Sequence, residues 1–246
     1  MTGLISGSTY WAKARAAQTW PGSSMPGVMG RIVKIVVFGA TGVIGRAVTT
    51  ELLARGHTVT AATRSGAPVD GLVVPSLTGD ARDPGSVARL AAGQDAVASA
   101  TGPRRGGDDD PEDSLLGAAR GLATGLRQAG VRRLVVVGGA GSLEVAPGRR
   151  LVDRPDFPPA DKPAALAHAR ALDEVYRDIK DLDWTYVSPA RVIGPGERTG
   201  EFRIGRDQLL VDESGESRIS IPDFAIAFAD ELEHGEAFRR RITVAY

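Results

Sequence analysis

Residues 31–46 read RIVKIVVFGATGVIGR, an apolar run that ends in three glycines, Gly39, Gly42 and Gly45. The run is rich in β-branched residues and almost continuous, as expected of a strand buried on both faces. After the glycines, apolar residues recur at helical spacing over residues 43–55. The stretch therefore predicts a buried strand, a tight turn and a helix, in that order.

The spacing of the glycines indicates a phosphate-binding turn. Gly39 would allow a tight bend, Gly42 would let a pyrophosphate approach the backbone, and Gly45 would let the helix pack closely on the strand. The helix N-terminus then offers free N–H groups and a partial positive charge to the phosphates. The alternative is a turn that serves only helix–strand packing and binds no ligand.

The rest of the chain continues this alternation of strands and helices. Further strands are predicted at 57–62, 71–77, 95–100, 132–137 and 183–188, and helices at 83–92, 111–129 and 161–179, the last capped by Asp161. Short strands, a helix at 222–233 and a final strand at 241–245 follow Pro189. This order predicts an α/β fold: a Rossmann-type doubly wound parallel sheet with a small C-terminal lobe on the substrate side.

One domain accounts for most of the chain. Residues 31–246 are expected to form the NAD(P)-binding Rossmann domain, since no composition shift interrupts the pattern. Residues 1–30 are rich in Gly, Ser and Thr, and no apolar segment follows their basic residues. They therefore predict a disordered N-terminal extension rather than a secretory signal.

Charge and composition narrow the classes of function. Basic and acidic residues both number 30, so the net charge attracts neither nucleic acid nor an anionic membrane. The chain has no cysteine, no apolar run of about 20 residues and only three histidines, none paired as metal ligands. We expect a cytoplasmic monomer or homodimer without a metal, whose partner is a small-molecule acceptor rather than nucleic acid or a membrane.

The end of the second predicted strand indicates the preferred dinucleotide. NAD-binding Rossmann folds usually place Asp or Glu about 20 residues after the glycine turn, where it binds the adenosine ribose. Here residues 62–65 read ATRS, and no acid occurs between Thr58 and Ala67. Arg64 suits a 2′-phosphate, with Arg46 as a second partner, so NADP(H) is favoured and NAD(H) is less well matched. The alternative is that Arg64 is only a solvated charge at a strand end.

Two acids follow the third predicted strand in the sequence Gly79-Asp80-Ala81-Arg82-Asp83. One of them could accept a hydrogen bond from the adenine amino group. Capping of the next helix by Asp83 is the structural alternative, and the two acids could divide these roles.

Five motifs together resemble a known family. They are GATGVIGR at 39–46, ATR at 62–64, GDARD at 79–83, SATG at 99–102 and DWTYVSPARVIGPGERTG at 183–200. They resemble the atypical short-chain dehydrogenase/reductases. Within these, the chain is most similar to the NAD(P)H-binding group of NADH-flavin reductase-like, biliverdin reductase B-like and NmrA-like proteins. The resemblance spans residues 32–246, nearly the whole chain outside the extension.

The resemblance assigns cofactor contacts to particular positions. It implies that the pyrophosphate loop is formed by Gly39, Thr41, Gly42, Val43 and Ile44, and that Arg64 is the basic residue that selects NADP. It implies an adenine pocket at Asp80 and Ala81. It also implies a wall beside the nicotinamide ribose at Thr101 and Gly102, and a strand end under the nicotinamide at Pro189 and Ala190.

The usual catalytic pair of the superfamily is missing from its expected place. Conventional members use Tyr as acid/base four residues before a Lys that lowers the Tyr pKa. Tyr176 and Lys180 have that spacing, but they lie at the far end of their helix, so we reject them. The family spacing instead places Leu166 and Arg170 at these positions, which does not favour conventional alcohol oxidation.

Three polar residues remain as catalytic candidates. Lys162 and His168 lie near the start of the helix, and His168 could donate a proton because imidazole titrates near neutrality. Ser142 follows the fifth strand and could bond a substrate carbonyl or the nicotinamide amide. The structural alternatives are a packed or solvated helical histidine and a serine that serves the turn.

The sequence favours an NADPH-dependent reductase that transfers hydride to a conjugated acceptor of flavin or quinone type. Such acceptors can take their proton from solvent, so loss of the Tyr–Lys pair matters less. The alternative is a non-catalytic NADP(H)-sensing regulator of NmrA-like type. A sugar-nucleotide epimerase or dehydratase is a third hypothesis. It agrees less well with the sequence because the chain is short for a full substrate domain.

Overall fold

The computed structural model describes residues 32–103, 110–235 and 237–246. The prediction of a disordered extension at residues 1–30 lies outside the described residues. Within the described part, strands and helices alternate in the predicted order.

The strands are β1 (Lys34–Phe38), β2 (Thr58–Thr63), β3 (Ser76–Thr78), β4 (Ala96–Ser99), β5 (Arg133–Val137), β6 (Glu144–Ala146), β7 (Arg149–Arg150), β8 (Asp183–Pro189), β9 (Val192–Gly194), β10 (Arg203–Gly205), β11 (Arg218–Ser220) and β12 (Arg240–Ala245). The α-helices are α1 (Val43–Ala54), α2 (Pro84–Ala91), α3 (Pro111–Ala129), α4 (Lys162–Arg170) and α5 (Ile221–His234).

Eight of these strands form one sheet in the order β10-β12-β8-β5-β4-β1-β2-β3. All neighbours in the sheet are parallel except β10, which runs antiparallel to β12. The strand order reverses between β1 and β4, and ligands of such sheets bind beyond the carboxyl ends of the strands at that point. The sheet confirms the Rossmann-type α/β fold. Outside it, β9 pairs with β11 and β6 with β7.

The sheet is buried on both faces, as the apolar strands require. Alternate β1 residues point to opposite faces. Ile35 packs in one core with Val48 of α1 and Phe224 of α5, whereas Val36 packs in the other core with residues of α2, α3 and α4. A β-branched strand with no polar face is therefore stable only in this three-layer arrangement.

The third strand is shorter than the sequence indicates. A strand was expected at 71–77, but β3 contains only Ser76–Thr78 and lies at the edge of the sheet. Gly71 has a φ of 73°, which interrupts an extended chain. Pro75 has no N–H for a ladder, so regular pairing with β2 begins only after it.

The helix predicted over 161–179 is not uniform. It begins as α4, continues as a π turn at Ala171–Val175 and ends as a 3₁₀ turn at Tyr176–Asp178. Asp161 does not cap it, because this residue already has helical dihedrals at the end of a preceding 3₁₀ turn and its side chain makes no capping bond. The π turn includes one extra residue. Tyr176, which follows it, is buried in the core below α4.

Candidate functional site

The glycine turn lies between β1 and α1, where the strand order reverses. Gly39 has a φ of 80°, and a Cβ on it would lie 2.5 Å from the carbonyl oxygen of Ala100, just after β4. A Cβ on Gly45 would lie 2.1 Å from the carbonyl oxygen of Gly39. Both positions therefore need glycine because neighbouring backbone occupies the space of a side chain.

Gly42 differs from its two neighbours in the turn. Its φ is −73°, which any residue adopts, and the nearest atom to an added Cβ would be the Gly39 oxygen, at 3.4 Å. A Cβ on Gly102, after β4, would have no described atom within 4 Å apart from those of its chain neighbours. The described protein thus gives no packing reason for glycine at these two positions, and a ligand lying against the backbone would give one.

The start of α1 is open to a ligand. Thr41, Gly42 and Val43 are exposed, and Val43 keeps 65% of its accessible surface. Gly42 is the N-cap and has no side chain to bond the first N–H groups of the helix. These N–H groups lack partners within a helix and carry its partial positive charge, so they suit phosphate oxygens. Ile44 is half-buried and packs against the core.

A pocket of about 450 Å³ lies beyond the carboxyl ends of β2 and β3. It is lined by Arg64, Thr78, Gly79, Asp80, Asp83, Gly85, Ser86 and Arg89. The structure therefore brings together Arg64 and Asp80, both predicted from the sequence. Ala81 is buried beside them and does not line the pocket. The pocket adjoins the end of β2, where the adenosine of a dinucleotide would lie.

Arg89 lines the pocket and was not predicted from the sequence. Its Nη2 donates to the carbonyl oxygen of Thr78 at 2.9 Å, so the side chain reaches back from the last turn of α2 to the pocket. A basic residue in a last helical turn is common because it complements the helix dipole, so no motif distinguished this one. Arg64 and Arg89 give the pocket two guanidinium groups.

Asp80 is already engaged by a neighbouring arginine. Arg82 donates from Nη2 to one carboxylate oxygen at 2.8 Å, and its backbone N–H donates to the other at 2.9 Å. These bonds, together with the charges of Arg82 and Arg64, lower the pKa of Asp80. Asp83 accepts bonds from the N–H groups of Gly85 and Ser86, which confirms that it caps α2. The adenine contact of Asp80 stays a prediction.

The carboxyl ends of β4, β5 and β8 form the other part of the site. Thr101 is half-buried, and its hydroxyl lies 3.0 Å from that of Ser99. Pro189 ends β8, and Ala190 is buried directly after it. Along a parallel sheet these ends lie next to each other, so the predicted wall and floor of a nicotinamide site are on one edge.

His168 faces this edge as a neutral imidazole. Tyr186 donates its hydroxyl proton to the carbonyl oxygen of His168 at 3.0 Å, and the same hydroxyl lies 3.0 Å from Nδ1 of His168. Since the phenol has a single proton, both bonds form together only when Nδ1 carries the hydrogen of the second, and we assign this tautomer to His168. Removal from water lowers the pKa of His168 to about 4 and raises that of Tyr186.

In this tautomer His168 is not poised to donate a proton, and its catalytic role stays a prediction. Near neutral pH the one N–H of the imidazole is bonded to Tyr186, and Nε2 can only accept a hydrogen bond. Gly139 explains the ring position, because a Cβ there would lie 2.9 Å from Cγ of His168. The ring is packed on the end of β5, and hydrogen-bond acceptance is the role that it can perform.

Ser142 is held in a different environment from the one expected. It is buried, and its hydroxyl accepts a bond from Nη1 of Arg241 at 2.8 Å. Arg241 also donates to Asp207 from Nη2, at 2.6 Å. The cavity at this point, about 320 Å³, is lined by three arginines and three acids. These bonds favour a structural role, and the substrate contact of Ser142 stays a prediction.

The positions where the family spacing expects the catalytic Tyr and Lys are occupied by Leu166 and Arg170. Leu166 is 42% exposed, and Arg170 is paired with Glu112 and Glu174. Lys162 is exposed at the first position of α4, and its role stays a prediction.

The rejected pair lies past the end of α4, as expected. The Tyr176 ring packs 5.9 Å from that of Trp184, centroid to centroid, and burial raises its pKa. Lys180 donates to the carbonyl oxygen of Arg177, shortly before the amino end of β8. These positions agree with the rejection of the pair, which stays a prediction.

The described residues contain neither a metal-binding cluster nor a membrane-spanning helix. In the described ranges, no group of three or more His, Asp or Glu side chains is arranged to hold a metal ion. No helix among the described residues is long and apolar enough to cross a bilayer. The cytoplasmic location stays a prediction.

Known proteins are similar to this chain in sequence and in structure. A Bacillus subtilis protein named "Uncharacterized protein YwnB" is 38% identical over 219 residues, covering 86% of this chain and 98% of the relative. A Burkholderia pseudomallei structure named "Putative exported protein" is 49% identical with a TM-score of 0.79, covering 87% of this chain and 100% of the other. A Streptococcus pneumoniae structure named "a putative NADH-flavin reductase" is 34% identical with a TM-score of 0.73, covering 87% and 99%.

A family model described as NAD(P)H-binding matches residues 39–232. The match begins at the first glycine of the turn and extends into α5, so it includes the glycine turn, the pocket at β2 and the carboxyl edge of the sheet. The chain belongs to the NAD(P)H-binding family.

Proposed function

We propose that the protein is an NADPH-dependent oxidoreductase that transfers hydride to a conjugated small-molecule acceptor of flavin or quinone type. The observation that carries the proposal is the pocket at the end of β2. Arg64 and Arg89 line it, and no acid occupies the end of β2 where a ribose-binding carboxylate would select NADH. Guanidinium groups match a 2′-phosphate in charge and geometry.

The carboxyl edge supports a conjugated acceptor. The nicotinamide of a bound NADPH would supply the hydride. The protein contributes position: Gly42 and Gly102 keep the backbone open, Pro189 and Ala190 form the floor, and α1 presents its N–H groups. His168 is neutral and offers an acceptor, so the proton that completes reduction comes from solvent. Flavins and quinones meet that requirement because their reduced forms exchange protons with water.

The name of the Streptococcus pneumoniae relative agrees with this class of acceptor. Its sequence identity is 34% over nearly its whole length, so the shared framework includes the site edge. This agreement supports the reaction class, and the acceptor itself is the part that needs measurement.

Equilibrium binding tests the cofactor part of the proposal. NADPH and NADH are titrated into wild-type protein, Arg64→Gln and a control, Arg127→Gln, which removes an exposed arginine paired with Asp181 away from the site. Nucleotide fluorescence should show tighter NADPH binding, and Arg64→Gln should reduce that preference about tenfold or more. Equal affinity of the wild type for both nucleotides would contradict the NADPH assignment.

Turnover tests the reductase part. NADPH oxidation is followed at saturating cofactor with FMN, riboflavin and a short-chain quinone. Consumption of NADPH with at least one of them is expected, and absence of turnover across the panel would refute the reductase.

A non-catalytic NADP(H) sensor of NmrA-like type is the second candidate. It is favoured by one observation, the 3.0 Å contact of His168 Nδ1 with the Tyr186 hydroxyl, which in the assigned tautomer engages the imidazole N–H. Tight NADPH binding without turnover, together with a protein partner whose capture changes with NADP⁺, would favour the sensor.

A further inference from the structure

Two arginines converge on one carboxylate at the carboxyl edge of the sheet. Arg191 follows the end of β8 by two residues, beyond the predicted nicotinamide floor. Arg154 and Asp156 lie in the segment that precedes α4, and a helix that follows a parallel strand begins at the carboxyl edge. Arg154, Asp156 and Arg191, called the arginine cluster below, therefore lie on the side of the sheet where substrates of this fold bind.

The geometry of the arginine cluster is asymmetric. Arg154 holds Asp156 with two bonds, Nε to one oxygen at 2.7 Å and Nη2 to the other at 3.1 Å. Arg191 reaches the same carboxylate through Nη2 alone, at 3.2 Å. The three side chains keep 44%, 49% and 37% of their accessible surface, in the order Arg154, Asp156, Arg191. Both guanidinium groups are accessible to a ligand from solvent.

The backbones of the arginine cluster are fixed even though its side chains are exposed. The Arg191 N–H donates to Ser217 Oγ at 3.0 Å. The Arg154 N–H donates to the carbonyl oxygen of Leu151 at 3.2 Å, and the Phe157 N–H donates back to the Arg154 carbonyl at 3.1 Å. The two arginines are therefore anchored at defined places on the edge, and a ligand group would not have to order the chain.

The charges of the arginine cluster do not cancel. Two guanidinium groups and one carboxylate leave a net positive charge, and the low pKa of Asp156, about 2, keeps that carboxylate ionised under physiological conditions. An exposed ion pair contributes little stability, because water solvates the separated ions almost as well. A second anion can therefore share the arginines, and the fork of Arg191, bound through one nitrogen, matches a phosphate or carboxylate.

We infer that the arginine cluster is a subsite for an anionic group on the acceptor, so that the preferred acceptor is a conjugated ring system with a phosphate or carboxylate on its side chain. The inference rests on the proposed function for the ring that receives hydride. It adds an acceptor class that the ring chemistry alone does not specify.

Two flavins test the inference, because FMN and riboflavin share one ring system and differ by a phosphate. Their KM values are measured with NADPH for the wild type, Arg154→Gln, Arg191→Gln and the control Arg127→Gln. The control also removes the arginine of an exposed bidentate Arg–Asp pair. The KM for FMN should be about tenfold below that for riboflavin in the wild type. Each cluster substitution should lower the ratio about threefold or more, and the control should retain it.

Flavin binding to the NADP⁺-saturated protein, followed by quenching of flavin fluorescence, gives a readout that needs no turnover. Tighter FMN binding that depends on Arg191, without turnover of either flavin or of the quinone, would support the subsite and refute the reductase. Turnover of both flavins at equal KM would leave the reductase standing and overturn the subsite. A preference for FMN that survives both substitutions, or binding of neither flavin, would also overturn it.

Discussion

Substitution of Gly39 by alanine separates backbone strain from steric contact, because the chain contains a matched control. Gly39 and Gly56 have φ values of 80° and 82°. A Cβ on Gly39 would lie 2.5 Å from the Ala100 oxygen, whereas a Cβ on Gly56 would meet nothing within 4 Å. Both substitutions force an L residue into the left-handed region, and only one also forces two strand ends apart.

The expected magnitudes follow from these two contributions. The left-handed conformation costs an L residue about 1–2 kcal/mol, and the lower entropy of the unfolded alanine chain returns about 0.4–1 kcal/mol. Gly56→Ala should therefore lose about 1 kcal/mol. Gly39→Ala adds the clash with the Ala100 backbone, which like other overpacking costs about 1–3 kcal/mol, for a total of roughly 3 kcal/mol.

Urea unfolding followed by far-UV circular dichroism measures both variants against the wild type. At this chain length a difference of about 2 kcal/mol corresponds to a Tm difference of roughly 4–8 °C, which calorimetry can check. Equal destabilisation of the two variants, within about 0.5 kcal/mol, would refute the steric argument and with it the close approach of β1 to β4.

Three further perturbations test other parts of the structure. Gly42→Ala should change stability by less than about 0.5 kcal/mol yet weaken NADPH binding at least tenfold, since only a ligand opposes the new methyl group; unchanged affinity in a fluorescence titration would argue against the pyrophosphate site. Glu231→Ala should lower the free energy of unfolding by about 3 kcal/mol or more, measured by thermal unfolding, because it leaves buried Arg133 without its paired carboxylate, while Glu174→Ala, on the surface, should lower it by less than about 1 kcal/mol. Between pH 7 and pH 4, the free energy of unfolding of the wild type should fall by up to about 3 kcal/mol more than that of His168→Gln. The reason is that the unfolded imidazole gains a proton near its pKa of 6.5, whereas the folded one, with a pKa of about 4, gains it only at lower pH. Parallel pH profiles of the two proteins in urea unfolding would contradict burial of the neutral ring.

Sequence periodicity was sufficient for the fold because its signals are local. The apolar run before Gly39 and the glycine spacing predicted β1, the turn and α1, and each is present with nearly the expected bounds. Sheet order follows from handedness rules once the alternation is known. The β3 boundary was wrong because an edge strand depends on its pairing partner, which periodicity does not report.

Long-range contacts limited the prediction of the candidate site. Arg64 and Asp80 could be anticipated because their distance from the glycine turn is a property of the fold. Arg89 could not, since its place in the pocket depends on the direction of one side chain. His168 illustrates the same limit: its proximity to the edge was expected, but its tautomer is set by Tyr186, 18 positions later, through a bond that no spacing rule contains.

The position of β12 has a consequence for how the chain is made. This strand is the last in the sequence, yet it lies inside the sheet, between β8 and β10. On a ribosome, β10 emerges about 40 residues before its partner does, which at about 5–20 residues per second is a wait of roughly 2–8 s. During that interval the edge of β8 is unpaired and can capture a strand from another nascent chain. We therefore expect slow translation or chaperone depletion to produce aggregates through this edge, and the opposite edge, at β3, to be complete long before synthesis ends.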